Sequence, residues 1–129
     1  MGYANPQVRT TYTYPSHDFG AGAGAVSFQG PKNMVGKLKE IVLHCTETFT
    51  ATTTPAYIRI GTASDADAYA EANLGLTADT DTFVASQDDP DAIIVSDLPA
   101  DTQVEVAFIA PTGGTPAGIG TVSLVVEWY

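Results

Sequence analysis

Two histidines, one cysteine and fifteen carboxylates carry what reactive chemistry this chain has, and their spacing decides what they can share. His44 and Cys45 are adjacent in a stretch that reads as a strand, where successive side chains point to opposite faces, so they make a poor nucleophile–base dyad. Cys45 falls on the face of Ile41 and Leu43 and is expected to be a buried small hydrophobe. His44 is expected at the surface or at an interface. His17-Asp18 lies in a predicted loop, and no Gly-x-Ser-x-Gly nucleophile turn occurs anywhere.

The carboxylates invite a calcium reading. Asp65, Asp67 and Glu71, and again Asp79 and Asp81, place hard oxygens at alternate positions. The third acid and the glycine of a calcium-binding loop are missing at their offsets. Asp65 and Asp67 fit better as first-turn acids of a helix, and Asp88-Asp89-Pro90-Asp91 as a solvated turn. The run Gly20-Ala21-Gly22-Ala23-Gly24-Ala25 is not followed by Lys-Ser/Thr, so it lacks the means to cradle phosphate. No catalytic residue, metal ligand set or cofactor is expected. The tyrosines are another matter: Tyr3, Tyr12, Tyr14, Tyr57 and Tyr69 have rings that can stack on sugars, or simply pack on strands.

The elements that must position these residues are strands. The clearest is the run 118–129, where Val122, Leu124, Val126 and Trp128 alternate with Thr121, Ser123, Val125, Glu127 and Tyr129. It is expected to be the central core strand. Residues 7–14 alternate in the same way up to Pro15. Residues 26–29 form a short strand closed by Gly30-Pro31. Residues 37–49 form a long one, with Leu38 out of phase with Ile41, which predicts a bulge near Lys39-Glu40. Further strands are expected over 56–60, 82–85, 92–95 and 102–110, the last paired with the C-terminal run. Residues 20–25 read as a loop. Ser64 is expected to cap one short helix through residues 65–72, stopped by Asn73 and Gly75.

About eight strands, turn signals and one short helix give an all-β fold: an antiparallel β-sandwich, jelly-roll-like. Residues 1–6, broken by Pro6, are read as an extended N-terminal arm and residues 7–129 as a single β-sandwich domain. At 129 residues and 44% hydrophobic content the chain can bury one core without a staple. A single cysteine permits no internal disulfide and fits a reducing compartment or a particle assembled inside a cell. Neither a signal peptide nor a membrane-spanning run is legible.

The charge is lopsided. All five basic residues (Arg9, Lys32, Lys37, Lys39 and Arg59) lie in positions 1–60 with three acids, while positions 61–129 hold twelve acids and no base, for a net −10. Most of such a surface repels nucleic acid and anionic membrane. It also allows the basic part to be steered onto an acidic partner.

The segments Tyr57-Ile58-Arg59-Ile60-Gly61-Thr62 and Asp65-Ala66-Asp67-Ala68-Tyr69, the Gly-rich loop and the terminus Gly120-Thr121-Val122-Ser123-Leu124-Val125-Val126-Glu127-Trp128-Tyr129 carry a resemblance. Over residues 56–129 the chain resembles small structural proteins of tailed bacteriophages, most of all capsid decoration (cement) proteins. That resemblance implies a non-enzymatic virion protein on the capsid exterior, assembled in the host cytoplasm. It implies that the major capsid protein is the partner, that neighbouring capsid subunits are bridged, and that the protein is a homo-oligomer, a dimer or trimer. It carries over no catalytic residue. The residues expected to reach the partner are Tyr3, Pro6, Arg9, Tyr12 and Tyr14, through strand addition by the arm. A carbohydrate-binding jelly roll of a fibre or tail is the alternative.

Overall fold

A computed structural model describes residues 8–75, 77–78, 80–86 and 92–129. The expected arm over residues 1–6, with Tyr3 and Pro6, and the expected turn at 87–90 lie outside the described residues. Among those described are ten strands: β1 (Val8–Thr13), β2 (His17–Asp18), β3 (Gly24–Phe28), β4 (Gly36–Thr50), β5 (Ala56–Gly61), β6 (Ala70–Gly75), β7 (Thr82–Ser86), β8 (Asp97–Leu98), β9 (Val104–Ile109) and β10 (Ala117–Trp128).

The strands form two antiparallel sheets. One runs β1-β10-β4-β7, with β2 added on β10 and β8 on β4; the other runs β3-β9-β5-β6. Apart from the two-residue strands β2 and β8, the strands pair first with last (β1·β10), then β3·β9, β4·β7 and β5·β6. A long double-stranded ribbon rolled onto itself pairs in this nested way, which is the jelly roll of two Greek keys. The sandwich expected from the alternating pattern is therefore present, and β10 lies between β1 and β4 as a central strand.

Its core is the inward half of every alternation. Val122, Leu124, Val126 and Trp128 of β10 meet Leu38, Ile41, Leu43 and Cys45 of β4, and across the gap Ile58, Ile60, Val104, Val106 and Phe108. Sheet-on-sheet packing of branched and aromatic side chains is what closes this core. The bulge falls where the phase slip placed it: Val126 pairs with Leu38 but Val125 with Glu40, leaving Lys39 as the extra residue.

Four expectations are corrected. The short helix over residues 65–72 does not form. Residues 62–69 are a turn in which the Asp65 N–H donates to Thr62 Oγ1 at 3.1 Å, and Ala70, Ala72 and Leu74 then alternate inward along β6. Helical propensity in this Ala-rich segment yields to a place beside β5. Residues 20–25 are not a loop throughout: Phe19–Ala21 make one 3-10 turn, capped by Asp18 Oδ1 accepting from the Ala21 N–H, and β3 starts at Gly24. Residues 92–95 give only one bridge, Ile93 to Ala70. Finally, β9 and β10 do not pair, because residues 110–116 cross from one sheet to the other.

Candidate docking surface

The chemistry-bearing residues are kept apart by the sandwich. Cys45 is buried and its Sγ–H donates to the Glu47 carbonyl at 3.0 Å. His44, its neighbour, is exposed on the outer face between Thr121 and Thr82. His17 sits in β2, with Nε2 2.9 Å from the Gly22 carbonyl oxygen and its ring against Phe19 and Phe108. The two histidines thus lie on opposite faces of one sheet. Glu71 pairs with Arg59 at 2.8 Å, while Asp65 and Asp67 stay exposed in the turn. No cluster of three or more potential metal ligands occurs among the described residues.

What the fold does bring together is charge. Strand register aligns Val8, Trp128 and Gly36 at one end of the sandwich, and one step inward Arg9, Glu127 and Lys37. The bulge at Lys39 turns Lys39 and Glu40 onto the outer face beside Glu127. Arg9 Nη1 donates to Glu127 Oε2 at 2.6 Å, Lys39 Nζ lies 3.7 Å from Glu127 Oε1, and Arg9 Nη2 lies 4.0 Å from Glu40. Lys37 Nζ donates to Asp97 at 2.6 Å, and this hydrogen bond holds the ammonium above its ordinary pKa. Exposed Lys32 and the contact from the Asn33 N–H to Asp101 complete the same end.

Four of the five basic residues therefore share one pole, balanced by Glu40, Asp97, Asp101 and Glu127. The whole net charge of −10 belongs to the rest of the chain. Beside this pole lies a groove of about 340 Å³ lined by Val35, Lys37, Asp97, Leu98, Pro99 and Tyr129 among others. Past the ion pairs the outer face of the same sheet is small and uncharged: Thr11, Thr13, Ser123, Val125, Val42 and Val84 lie side by side across four strands. Val84 is 52% exposed.

The residues expected to touch a partner divide. Arg9 is on the outer face at this pole. Tyr12 and Tyr14 turn inward: Tyr12 stacks on Phe28 with ring centroids 4.3 Å apart, and both pack against the core. Burial pushes the Tyr14 phenol up to about 12 and raises Tyr12 as well. Tyr69 is buried, so its ring is committed to packing. The balanced pole itself was hidden in the sequence, where its members are spread from position 9 to 127. The bulge was the one legible sign of it.

The opposite end carries hydroxyls instead. Thr52, Thr53, Thr54 and Asn73 line a shallow groove of about 260 Å³. Tyr57 stands next to it, its Oη accepting from Asn73 Nδ2 at 3.4 Å and the Arg59 guanidinium 5.5 Å from the ring centroid.

Comparison with known proteins gives little sequence kinship. No protein-family model matches the chain, and no curated protein matches it. Among solved structures it overlaps a chain of the cyanophage Pam1 capsid asymmetric unit, with a TM-score of 0.38 and 13% identity over 98% of this chain and 91% of that one. It also overlaps a chain of infectious bursal disease virus, Gx strain, with a TM-score of 0.37 and 14% identity over 96% of this chain. The chain spans 32% of that second structure's length. Overlaps this low do not define a common fold.

Proposed function

We propose that the protein is a non-enzymatic structural component of a virion that docks on the outside of a capsid through its charge-balanced pole. The observation that carries this reading is the pole itself. On a chain of net −10 the region whose own charge is neutralised repels an acidic partner least, and that region is the Arg9–Glu127–Lys39 corner with the Thr/Ser/Val face beside it. The jelly roll is an architecture that viral capsid and lectin domains both use, so the fold supports the reading by analogy only. The sequence resemblance to decoration proteins points the same way.

In this account Arg9 and Lys39 exchange part of their contact with Glu127 for acidic groups on the capsid protein. The groove beside Tyr129 receives an apolar side chain of the partner. Tyr3 and Pro6 reach a neighbouring protein, and a copy set between capsid subunits bridges them. The test is co-sedimentation of the purified chain with shells assembled from the capsid protein of the same genome. Saturable binding that weakens with salt, and at least tenfold weaker binding for Arg9→Glu or for loss of residues 1–6, is the expected result. Absence of binding at every salt concentration would refute the proposal.

A carbohydrate-binding role is the second reading, and the hydroxyl-rich groove at the other end favours it. Thr52, Thr53, Thr54 and Asn73 offer donors and acceptors beside the Tyr57 ring, as a sugar subsite requires. A glycan array with the native chain and Tyr57→Ala separates the two: Tyr57-dependent binding selects the carbohydrate reading.

A further inference from the structure

The sheet β1-β10-β4-β7 ends in β7, and the outer edge of that strand is open among the described residues. The Cys45 N–H of β4 donates to the Asp81 carbonyl at 3.0 Å. Alternation along the antiparallel ladder then turns the N–H and C=O of Phe83 and Ala85 toward β4 and those of Thr82, Val84 and Ser86 away from it. Strand edges are normally guarded by a charge, a proline or a bulge. Thr82-Phe83-Val84-Ala85-Ser86 has neither charge nor proline, and its ladder with β4 runs without a register shift.

The flank beside this edge is apolar. After β7 the chain returns from the second sheet to the first. Ile93 bridges Ala70 of β6, the N–H groups of Ile94 and Val95 donate to the Tyr69 carbonyl, and the Leu38 N–H of β4 donates to the Ser96 carbonyl at 2.7 Å. The crossing thus reaches β4 on the same side as β7, next to it along the strand. Ile94 is 57% exposed there and Val95 45%. Val84, Ile94 and Val95 are three of the four large apolar side chains exposed among the described residues, Val8 being the fourth. Exposed apolar side chains around an open edge mark an interaction surface.

We infer that β7 pairs with β7 of a second copy of this chain, antiparallel about a twofold axis at Val84. Self-complementarity selects this occupant. With Val84 opposite Val84, Thr82 faces Ser86 and Ser86 faces Thr82. Every open N–H and C=O of the strand then finds its counterpart, valine meets valine, and hydroxyl meets hydroxyl. Charge agrees. Each copy carries −10, so copies repel over most of their surface, while β7, Ile94 and Val95 bring no charged side chain to the contact. The axis stands normal to the sheet, so both outer faces lie on one side. The uncharged row Thr13, Ser123, Val42, Val84 runs on into the same row of the second copy. Whether the chain binds a capsid does not enter.

The first measurement is sedimentation velocity on the full chain at ~10–100 µM. The native chain should form a dimer whose dissociation constant falls at least about threefold from ~20 mM to ~500 mM salt, as screening relieves repulsion between two acidic copies. Binding through the charge-balanced pole runs the other way with salt, so the two contacts are read apart. Val84→Pro removes an N–H on the open side and leaves the ladder to β4 whole. It should be monomeric, with Trp128 emission unchanged. Should Val84→Pro fail to fold, cysteine cross-linking is the second measurement, Cys45 being buried. Val84→Cys sets two thiols side by side at the axis and should give a disulfide-linked dimer on mild oxidation. Thr82→Cys sets them about 14 Å apart along the strands and should not. A native chain that is monomeric at every salt concentration, a dimer that survives Val84→Pro, or equal linking of the two cysteine variants overturns the inference. A chain whose β7 amides gain protection only on capsid shells gives the edge to the capsid protein and overturns it too.

Discussion

Trp128 and Gly36 face each other across the β10–β4 ladder, and the indole occupies the space that a side chain at Gly36 would need. A Cβ there would lie 2.6 Å from Trp128 Cζ3, and one at Gly30 would lie 2.2 Å from Cη2. The largest side chain of the core is thus admitted by two bare backbone positions. With Phe28 and Tyr12 it anchors the pole described above.

The first prediction concerns this fit. Gly36→Ala adds strand propensity but forces the indole to move, and overpacking a tight core costs about 1–3 kcal/mol. The substitution is expected to lower the urea midpoint and to shift Trp128 emission to the red. Gly30→Ala should behave alike. An unchanged midpoint in both would mean that the indole has room to relax.

Tyr14 supplies the second. Its hydroxyl is buried without a hydrogen-bond partner among the described residues, and burying such a group costs about 1–3 kcal/mol. Tyr14→Phe should be neutral or slightly stabilising. The pH dependence follows from the raised pKa, about 12 folded against 10.0 as the ordinary value. Between those values the folded state holds the proton more tightly than the unfolded one. Stability is therefore full below about pH 10 and falls as pH rises toward 12, by on the order of 2 kcal/mol. Tyr14→Phe should flatten this alkaline loss in pH-dependent urea melts, and a slope identical to native would contradict it.

Glu127 gives the third. It accepts from Arg9 and lies beside Lys39, yet Arg9 is half exposed and water screens the pair. Glu127→Gln should cost about 1 kcal/mol or less, and the cost should shrink further in 1 M salt. A larger, salt-independent loss would show that the cluster is structural and not a surface held ready for a partner.

The fourth uses the bulge. Deleting Lys39 leaves Leu38 and Ile41 inward with Glu40 alone between them, which restores a regular ladder. The fold should survive at a cost of about 1 kcal/mol or less. One cation beside Glu127 is lost, so capsid co-sedimentation should weaken while thermal unfolding stays cooperative.

Much of the fold was legible because half-buried strands announce themselves by period. The run 118–129, the strand expected over 7–14 (found as Val8–Thr13) and the phase slip at Lys39 were legible in this way, as was Cys45 as a core residue. The segment over 65–72 misled because alanines and early acids satisfy helix rules, although Ala70, Ala72 and Leu74 against Glu71 and Asn73 also alternate. Small inward residues carried the weaker signal. The pairing of β9 with β10 failed for another reason: in a jelly roll, neighbours in sequence can belong to different sheets, and the loop between them does not say so. For the tyrosines, composition alone could not distinguish a ring stacked on Phe28 from one offered to a partner. The balanced pole needed three-dimensional register, since Arg9 and Glu127 are 118 positions apart.

The most direct measurement is hydrogen–deuterium exchange on the chain bound to capsid shells compared with the free chain. Slower exchange confined to residues 8–13, 31–40 and 123–129 is expected. Protection falling instead on the acidic turn at 62–69 and on β6, or no protection at a saturating shell concentration, would contradict docking through the pole.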